Sequence, residues 1–374
     1  MDPIIAATHA DPYPYYATLR TEGGWAFHDG LKMWVASSAD AVAAVMAHPD
    51  CRVRPLNEPV PKAIAEGDAG KIFGQLMRMN EGERQRCPRA AIEPALAAVN
   101  LSDVRARVSA RWITAGAQGL YNAMFRGPVS VVAALLGFSP AQARAISELT
   151  ADFVACLSPL SEQTQVMAAQ VAAELLHSYF IELLDDAYAQ TPLLKDIQQR
   201  FAMASSDHDM LIANLIGLCS QTYEATAGLI GNGLVALIRQ PSLRNEMTGV
   251  DELIGEIQRI DPSVQNTRRF VAEPCEINGS SLRPGDVILL ILASANRDPL
   301  LNDDPDAVCL SRANRRSFSF GAGRHQCPGQ ALALSIASAT LTQILEANPV
   351  LDRLTWHYRP SLNSRIPMFI EAQA

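Results

Sequence analysis

Apolar positions recur at helical spacing from about residue 89 to 260. Pro and Gly at 127–128, 137–140 and 158–159 divide that stretch, which predicts a succession of helices. ELLHSYFIELLDDAYAQ (174–190) is one clear case. MLIANLIGLCSQTYEATAGLIGNGLVALI (210–238) is another, and it is nearly uncharged. The pattern is shorter elsewhere. DPYPYYATLR predicts a short helix. WAFHDG and LKMWVAS predict two strands around Asp29-Gly30, and SADAVAAVMAH predicts a helix with a Ser/Asp start. Residues 55–75, with Pro55, Pro59, Pro61, Gly67, Gly70 and Gly74, read as loop. RRFVAEPCEINGSSLRPGDVILLILAS (268–294) has β-branched runs around Asn-Gly and Pro-Gly, so small antiparallel strands are expected. Residues 300–327 read as loop, Pro328 to about Asn348 as a helix and 350–372 as a further hairpin. No repeat, low-complexity segment or composition break marks a linker. The expectation is a single domain over 1–374, mainly α with a small antiparallel β part.

Composition narrows the classes. Hydrophobic residues are 48% and charged residues 19%, ordinary globular usage. Net charge is −8, from 31 basic and 39 acidic residues, which argues against nucleic-acid binding. The seven cysteines (51, 87, 156, 219, 275, 309 and 327) include no two within three residues, so neither a zinc CxxC pair nor a disulfide framework is expected. MDPIIAATHADPYPYY lacks the basic start and apolar run of a signal peptide. No run of 18 apolar residues predicts a membrane span. A cytoplasmic, soluble chain is expected.

One cysteine stands in a chemically suggestive setting. In SFSFGAGRHQCPGQALALSIASATL, Cys327 directly precedes Pro328, a residue favoured at the first position of a helix. The spacing predicts Cys327 as N-cap, its sulfur beside unpaired N–H groups and the positive dipole end, a setting that favours thiolate. Gly321 and Gly323 let the preceding backbone turn tightly against something flat. This arrangement suits a metal ligand or a nucleophile.

Phe320-x-x-Gly323-x-His325-x-Cys327-x-Gly329 resembles the heme-binding loop of the cytochrome P-450 family. With 11 Phe, 22 Gly and 7 Cys in 374 residues, and His or Arg allowed at 325, chance would supply roughly 6 × 10⁻⁵ matches. Further segments carry the same resemblance. Glu256-x-x-Arg259 in GEIQR can pair across one helical turn and resembles the family's Glu-x-x-Arg motif, with Arg312 where its later Arg partner is expected. PSVQNTRR resembles the segment that supplies a propionate-binding Arg, with Arg269 the best match, and GDVILLILASANRDP resembles the strand and turn after it. The resemblance runs from about residue 11 to 370. It implies heme b, Cys327 as the proximal iron ligand, His325 and Arg269 as propionate donors, and a triangular, mainly helical prism around the heme. A thiolate ligand donates electron density to the iron, and a guanidinium suits a carboxylate.

EATAGLIGN resembles the family's distal helix, where an acid is followed by a Thr that assists oxygen protonation. Glu224 supplies the acid. A carboxylate in so apolar a helix needs a partner, water or a role. The next position is Ala225. Thr226 stands about 100° further around the helix and cannot simply substitute. The usual small pair is replaced by Gln221-Thr222. A substrate hydroxyl, an ordered water, or Gln221 or Thr222 could take over proton delivery. In NEGERQRCPRAAI, Arg84 stands where the family has a propionate-binding His and Pro88 where it has an Arg. Pro88 is expected to kink or delay that helix, and Arg84 to take the contact. Arg86, Arg89, Arg315, Arg316 and Arg324 are expected to form a basic patch that steers an acidic ferredoxin or flavodoxin donor.

The resemblance therefore implies a monooxygenase of secondary metabolism. It would insert one oxygen atom from O2 into a small, largely hydrophobic substrate, free or tethered to a carrier protein, with NAD(P)H electrons arriving through a ferredoxin-type partner. Val60, Ile64, Phe73, Leu76, Leu157, Leu160 and Leu218 are the expected apolar lining. Ala225 keeps a second reading open, a heme-thiolate enzyme of atypical chemistry: peroxide-driven oxidation, oxidative coupling or rearrangement. A third is a non-catalytic heme sensor.

Overall fold

Val287-Ile-Leu-Leu290 is a continuous apolar run, and it becomes a strand buried on both faces. Ile288 and Leu290 meet one cluster with Val42, Val45 and Met46. Leu289 meets another with Tyr13, Tyr16 and Val35. This strand is β7 in a computed structural model that describes residues 1–109, 112–113, 116–186, 190–347 and 351–371. The others are β1 (Trp25–His28), β2 (Met33–Ala36), β3 (Cys51–Arg52), β4 (Thr267–Val271), β5 (Cys275–Ile277), β6 (Ser280–Leu282), β8 (Leu354–Tyr358) and β9 (Pro367–Glu371). The main sheet runs β1-β2-β7-β4-β3. All its pairs are antiparallel except β2 with β7, where Trp34 to Ala36 run parallel to Ile288 to Leu290. That one parallel pair departs from the sequence expectation. It suits a central strand apolar on both faces.

The described residues cluster into two compact units. The first comprises 1–57, 228–327 and 350–374 and holds all these strands. Its hairpins follow the turn chemistry. Asn278 and Gly279 both take positive φ, 48° and 73°, between β5 and β6. The expected C-terminal hairpin is β8 with β9. Ser38 caps Ala39–Ala47 by accepting from the Ala41 amide. Arg365, with no exposed surface, ties both ends of the chain into this unit. Its Nε meets Asp261 Oδ1 at 2.8 Å, and its Nη atoms donate to the carbonyls of His9 and Ala10. Tyr13 donates to the same carboxylate at 2.5 Å.

The second unit comprises 58–227 and 328–349 and is helical. Two sequence expectations are corrected there. The segment read as loop contains Lys62–Ile64 and the helix Asp68–Gln75. Gly70 allows a close approach instead of breaking the helix, since a Cβ there would lie 2.0 Å from the Ile64 carbonyl oxygen. Pro88 does not delay its helix, Glu83–Ala97, which also contains Pro94. The carbonyls that lose a helical donor belong to Arg84 and Ala90, both exposed to water.

The expected 174–190 helix is the end of Gln163–Asp185, and residues 187–189 lie outside the described set. Asn348 and the outer ends of the expected hairpin, 350 and 372, lie outside it too. Gly116–Leu136 is apolar and long enough to cross a membrane, but its apolar window is 78% buried, as in a core helix.

Candidate heme-thiolate site

The Cys327 loop closes on itself. Gly321 and Gly323 take φ of +71° and +62°, the left-handed region that glycine enters freely. The chain then makes one turn over Gly323–His325 and returns, so that the Cys327 amide donates to the Phe320 carbonyl at 2.7 Å. The Cys327 side chain is half-buried. Its expected place as an N-cap is corrected. The helix starts at Gln330 with Gly329 as N-cap, and the Cys327 amide is committed to the loop. Burial pushes the thiols of Cys51, Cys156 and Cys219 up to about 12, 11 and 12, which keeps them protonated near neutral pH.

Glu256 organises the segment leading into this loop. It lies on Val250–Ile260 with no exposed surface. Its Oε1 accepts from Arg259 Nη2 (2.6 Å) and Nε (3.1 Å), Arg312 Nε (3.2 Å) and the Cys309 amide (3.2 Å). Its Oε2 accepts from Arg315 Nε at 2.8 Å. Burial pushes this carboxyl up, but hydrogen bonds from Arg259 and Arg315 outweigh it and hold the pKa below the usual value. The guanidinium groups then grip the chain beyond. Arg259 donates to the carbonyls of Pro305 and Ala307, and Arg312 to those of Asp303 and Asp304. Asn296 completes the anchor, accepting from the Phe318 amide at 2.7 Å and donating to Ser319 Oγ at 2.8 Å.

Arg315 was expected on the outer basic patch, and that expectation is corrected: it serves the buried carboxylate. The sequence signal was Gly255. A Cβ there would lie 2.8 Å from Arg315 Nη1. Gly255→Ala is therefore expected to cost about 1–3 kcal/mol by overpacking, read in denaturant unfolding. Unchanged stability would mean that Arg315 is not held there. The patch loses other members as well. Arg86 pairs with Glu83 and Arg89 with Glu93, while Arg324 donates to the carbonyls of His48, Pro49 and Cys51.

Arg269 lies on β4 and is 7% exposed; His325 ends the loop's helical turn and is half-buried. Both belong to the first unit. Arg269 Nη1 donates to the Arg268 carbonyl at 2.9 Å. These residues fit a heme. No group of three or more His, Cys, Asp or Glu among the described residues could hold a bare metal ion. A lone thiol suits an iron that brings four porphyrin nitrogens, whereas protein metal sites usually need three or four protein ligands. Arg84, in the second unit, is exposed in the first turn of its helix.

The second unit carries the distal candidates. Helix His208–Arg239 is buried through its middle except at Leu218, Gln221, Thr222, Glu224 and Ala225. Leu218, Gln221, Thr222 and Ala225 form a stripe at i, i+3, i+4 and i+7, with Glu224 at its margin. Thr226, one turn beyond Thr222, is 2% exposed, and that burial argues against it as the replacement alcohol. Tyr223 turns inward, its hydroxyl 2.8 Å from that of Tyr121. Asn214 fixes the helix to residues 75–77 by donating to the Gln75 carbonyl and accepting from the Met77 amide.

Comparison with known proteins points to the segment that contains this loop and its anchor. The family profile described as Cytochrome P450 matches residues 237–350. Cytochrome P450 133B1 of Xylella fastidiosa (strain 9a5c) is 33% identical over 231 residues, 58% of this chain and 57% of the relative. Cytochrome P450 monooxygenase PikC of Streptomyces venezuelae is 26% identical over 390 residues, 94% of this chain and 89% of the relative. The matches to the Xylella relatives span 54% to 62% of those relatives' own length. Among solved structures, P450BioI in complex with hexadec-9Z-enoic acid ligated acyl carrier protein has TM-score 0.81 at 22% identity, over 96% of this chain and 97% of that one. Epothilone B-bound P450epoK has TM-score 0.81 at 19% identity, over 100% of both. The chain has the cytochrome P450 fold, and the segment that holds the Cys327 loop and its anchor matches the cytochrome P450 family profile. Likeness to that family implies a heme cofactor.

Proposed function

We propose that residues 1–374 form a single cytochrome P450 heme domain that acts as a monooxygenase. Cys327 would be the proximal ligand of heme b, with Phe320, Gly323 and Gly329 shaping its loop. His325, Arg269 and Arg84 would hold the propionates. When bound, the heme supplies the activation of O2 and the insertion of one oxygen atom into the substrate. The observation that carries this reading is the closed 320–327 loop, which ends on a half-buried thiol and is anchored through Asn296 and the Glu256 cluster. The substrate is a small, largely hydrophobic molecule of secondary metabolism, free or carrier-bound. Electrons come from NAD(P)H through a ferredoxin or flavodoxin, in the cytoplasm. A relative's complex with a fatty-acyl carrier protein supports testing tethered acids. The decisive assay gives the heme-loaded chain a reductase and ferredoxin, or peroxide alone, with product read by mass. Product only with the donor chain is expected.

Ala225 favours a second reading, because the position after Glu224 carries no hydroxyl. Turnover with peroxide alone would establish that alternative. The role of Glu224 is testable in either case. Proton transfer belongs to the transition state. Glu224→Gln is therefore expected to lower kcat about 100-fold or more with substrate affinity within about twofold. Unchanged turnover with weakened affinity would make Glu224 a binding residue.

A further inference from the structure

The open stripe of helix His208–Arg239 offers more hydrogen-bond acceptors than donors. Thr222 Oγ1 donates to the Leu218 carbonyl at 2.8 Å. A hydroxyl carries one hydrogen, so this threonine is left with lone pairs only. Gln221 Nε2 donates to the Gly217 carbonyl at 2.9 Å, which turns one of the two N–H groups of the amide back onto the helix and leaves Oε1 as an acceptor beside the second N–H. Gly217 makes that pose possible. A Cβ there would lie 3.2 Å from Gln221 Nε2 and 2.9 Å from Leu76 Cδ2. Glu224, at the margin, accepts when ionised. Leu218 and Ala225 complete the stripe and are apolar.

A ligand on this face meets acceptors set in an apolar frame. A matching donor forms a hydrogen bond to Thr222 and to Gln221 Oε1, whereas a hydrocarbon, or a molecule with acceptors alone, strips water from the Thr222 hydroxyl without replacing it. We infer that the substrate class is an apolar body carrying an N–H or O–H donor, such as an indole-type N–H, a secondary amide or an alcohol, that bonds to Thr222 and Gln221. This rests on the reading that the stripe faces the substrate. Thr222 and Gln221 would then fix which part of the molecule is presented for oxidation.

The test uses the heme-loaded full chain and matched pairs that differ by one methyl cap: indole with 1-methylindole, cyclohexanol with methoxycyclohexane, and N-methylbenzamide with N,N-dimethylbenzamide. Affinity is read from the change in the heme Soret band. The donor-bearing member should bind at least about fivefold more tightly, equivalent to about 1 kcal/mol. Thr222→Val and Gln221→Leu should each reduce that preference, and the double variant should abolish it. Equal affinities, no binding by any donor-bearing member, or a preference that survives the double variant would overturn the inference. A chain that takes up no heme overturns the proposed function instead, so the two failures are distinguishable.

Discussion

Cys327→Ser is expected to abolish the red-shifted Soret band of the ferrous carbonyl complex and to reduce turnover to background, while leaving the fold standing. The alcohol does not ionise near neutral pH, so it supplies no thiolate donation to the iron. The loop should survive, because its closing bond runs from the backbone amide of residue 327 to the Phe320 carbonyl. The side chain is half-buried, so stability should change by no more than about 1 kcal/mol. Cys87, Cys275 and Cys309 are also half-buried. Serine at each of these three positions should keep the band. Persistence of the band in Cys327→Ser, or its loss in one of the controls, would assign the ligand elsewhere.

How much of this was legible beforehand depends on the range of the contacts involved. The hairpin at Asn278-Gly279 and the helix after Ser38 follow from chemistry within a few residues, and the sequence predicts both. The Cys327 segment is also local, and its residue pattern suffices to find it. Long-range contacts decide the rest. Gly70 reads as a breaker until Ile64 is seen against it, and the small residue at Gly255 gains its meaning only with Arg315 in place. Arg315 looks like a surface charge because nothing nearby in sequence shows that Glu256 has a second oxygen to satisfy. Cys327 reads as an N-cap because Pro328 is a strong start signal, and only the structure shows the helix starting later, at Gln330 with Gly329 as its N-cap. On the distal helix the apolar pattern shows burial, but not which positions stay open. Thr222 and Thr226 are equivalent in composition. The structure alone puts the first on the open stripe and the second inside.

Glu256→Ala is expected to be the most destabilising single change in the first unit. It leaves Arg259, which has no exposed surface, as an uncompensated charge, and breaking a buried pair typically costs about 3–5 kcal/mol. That is a large share of the ~5–15 kcal/mol of a typical domain, so the variant is expected to be poorly soluble and weak in heme retention. Glu256→Gln keeps the shape and an acceptor, and supplies a form that folds. Its loss should be smaller, and its dependence on acid identifies the cause. The Glu256 pKa is lowered in the folded state. Its contribution is therefore complete above the unfolded carboxyl value of about 4.3 and disappears as pH falls through the lower folded value. The stability gap between wild type and Glu256→Gln, measured by denaturant unfolding, should stay constant from neutral pH down to about 5 and narrow below that. A gap independent of pH would mean that the carboxylate charge is not what holds Arg259, Arg312 and Arg315 together. No gap at neutral pH would remove the cluster from the account of how the Cys327 loop is held.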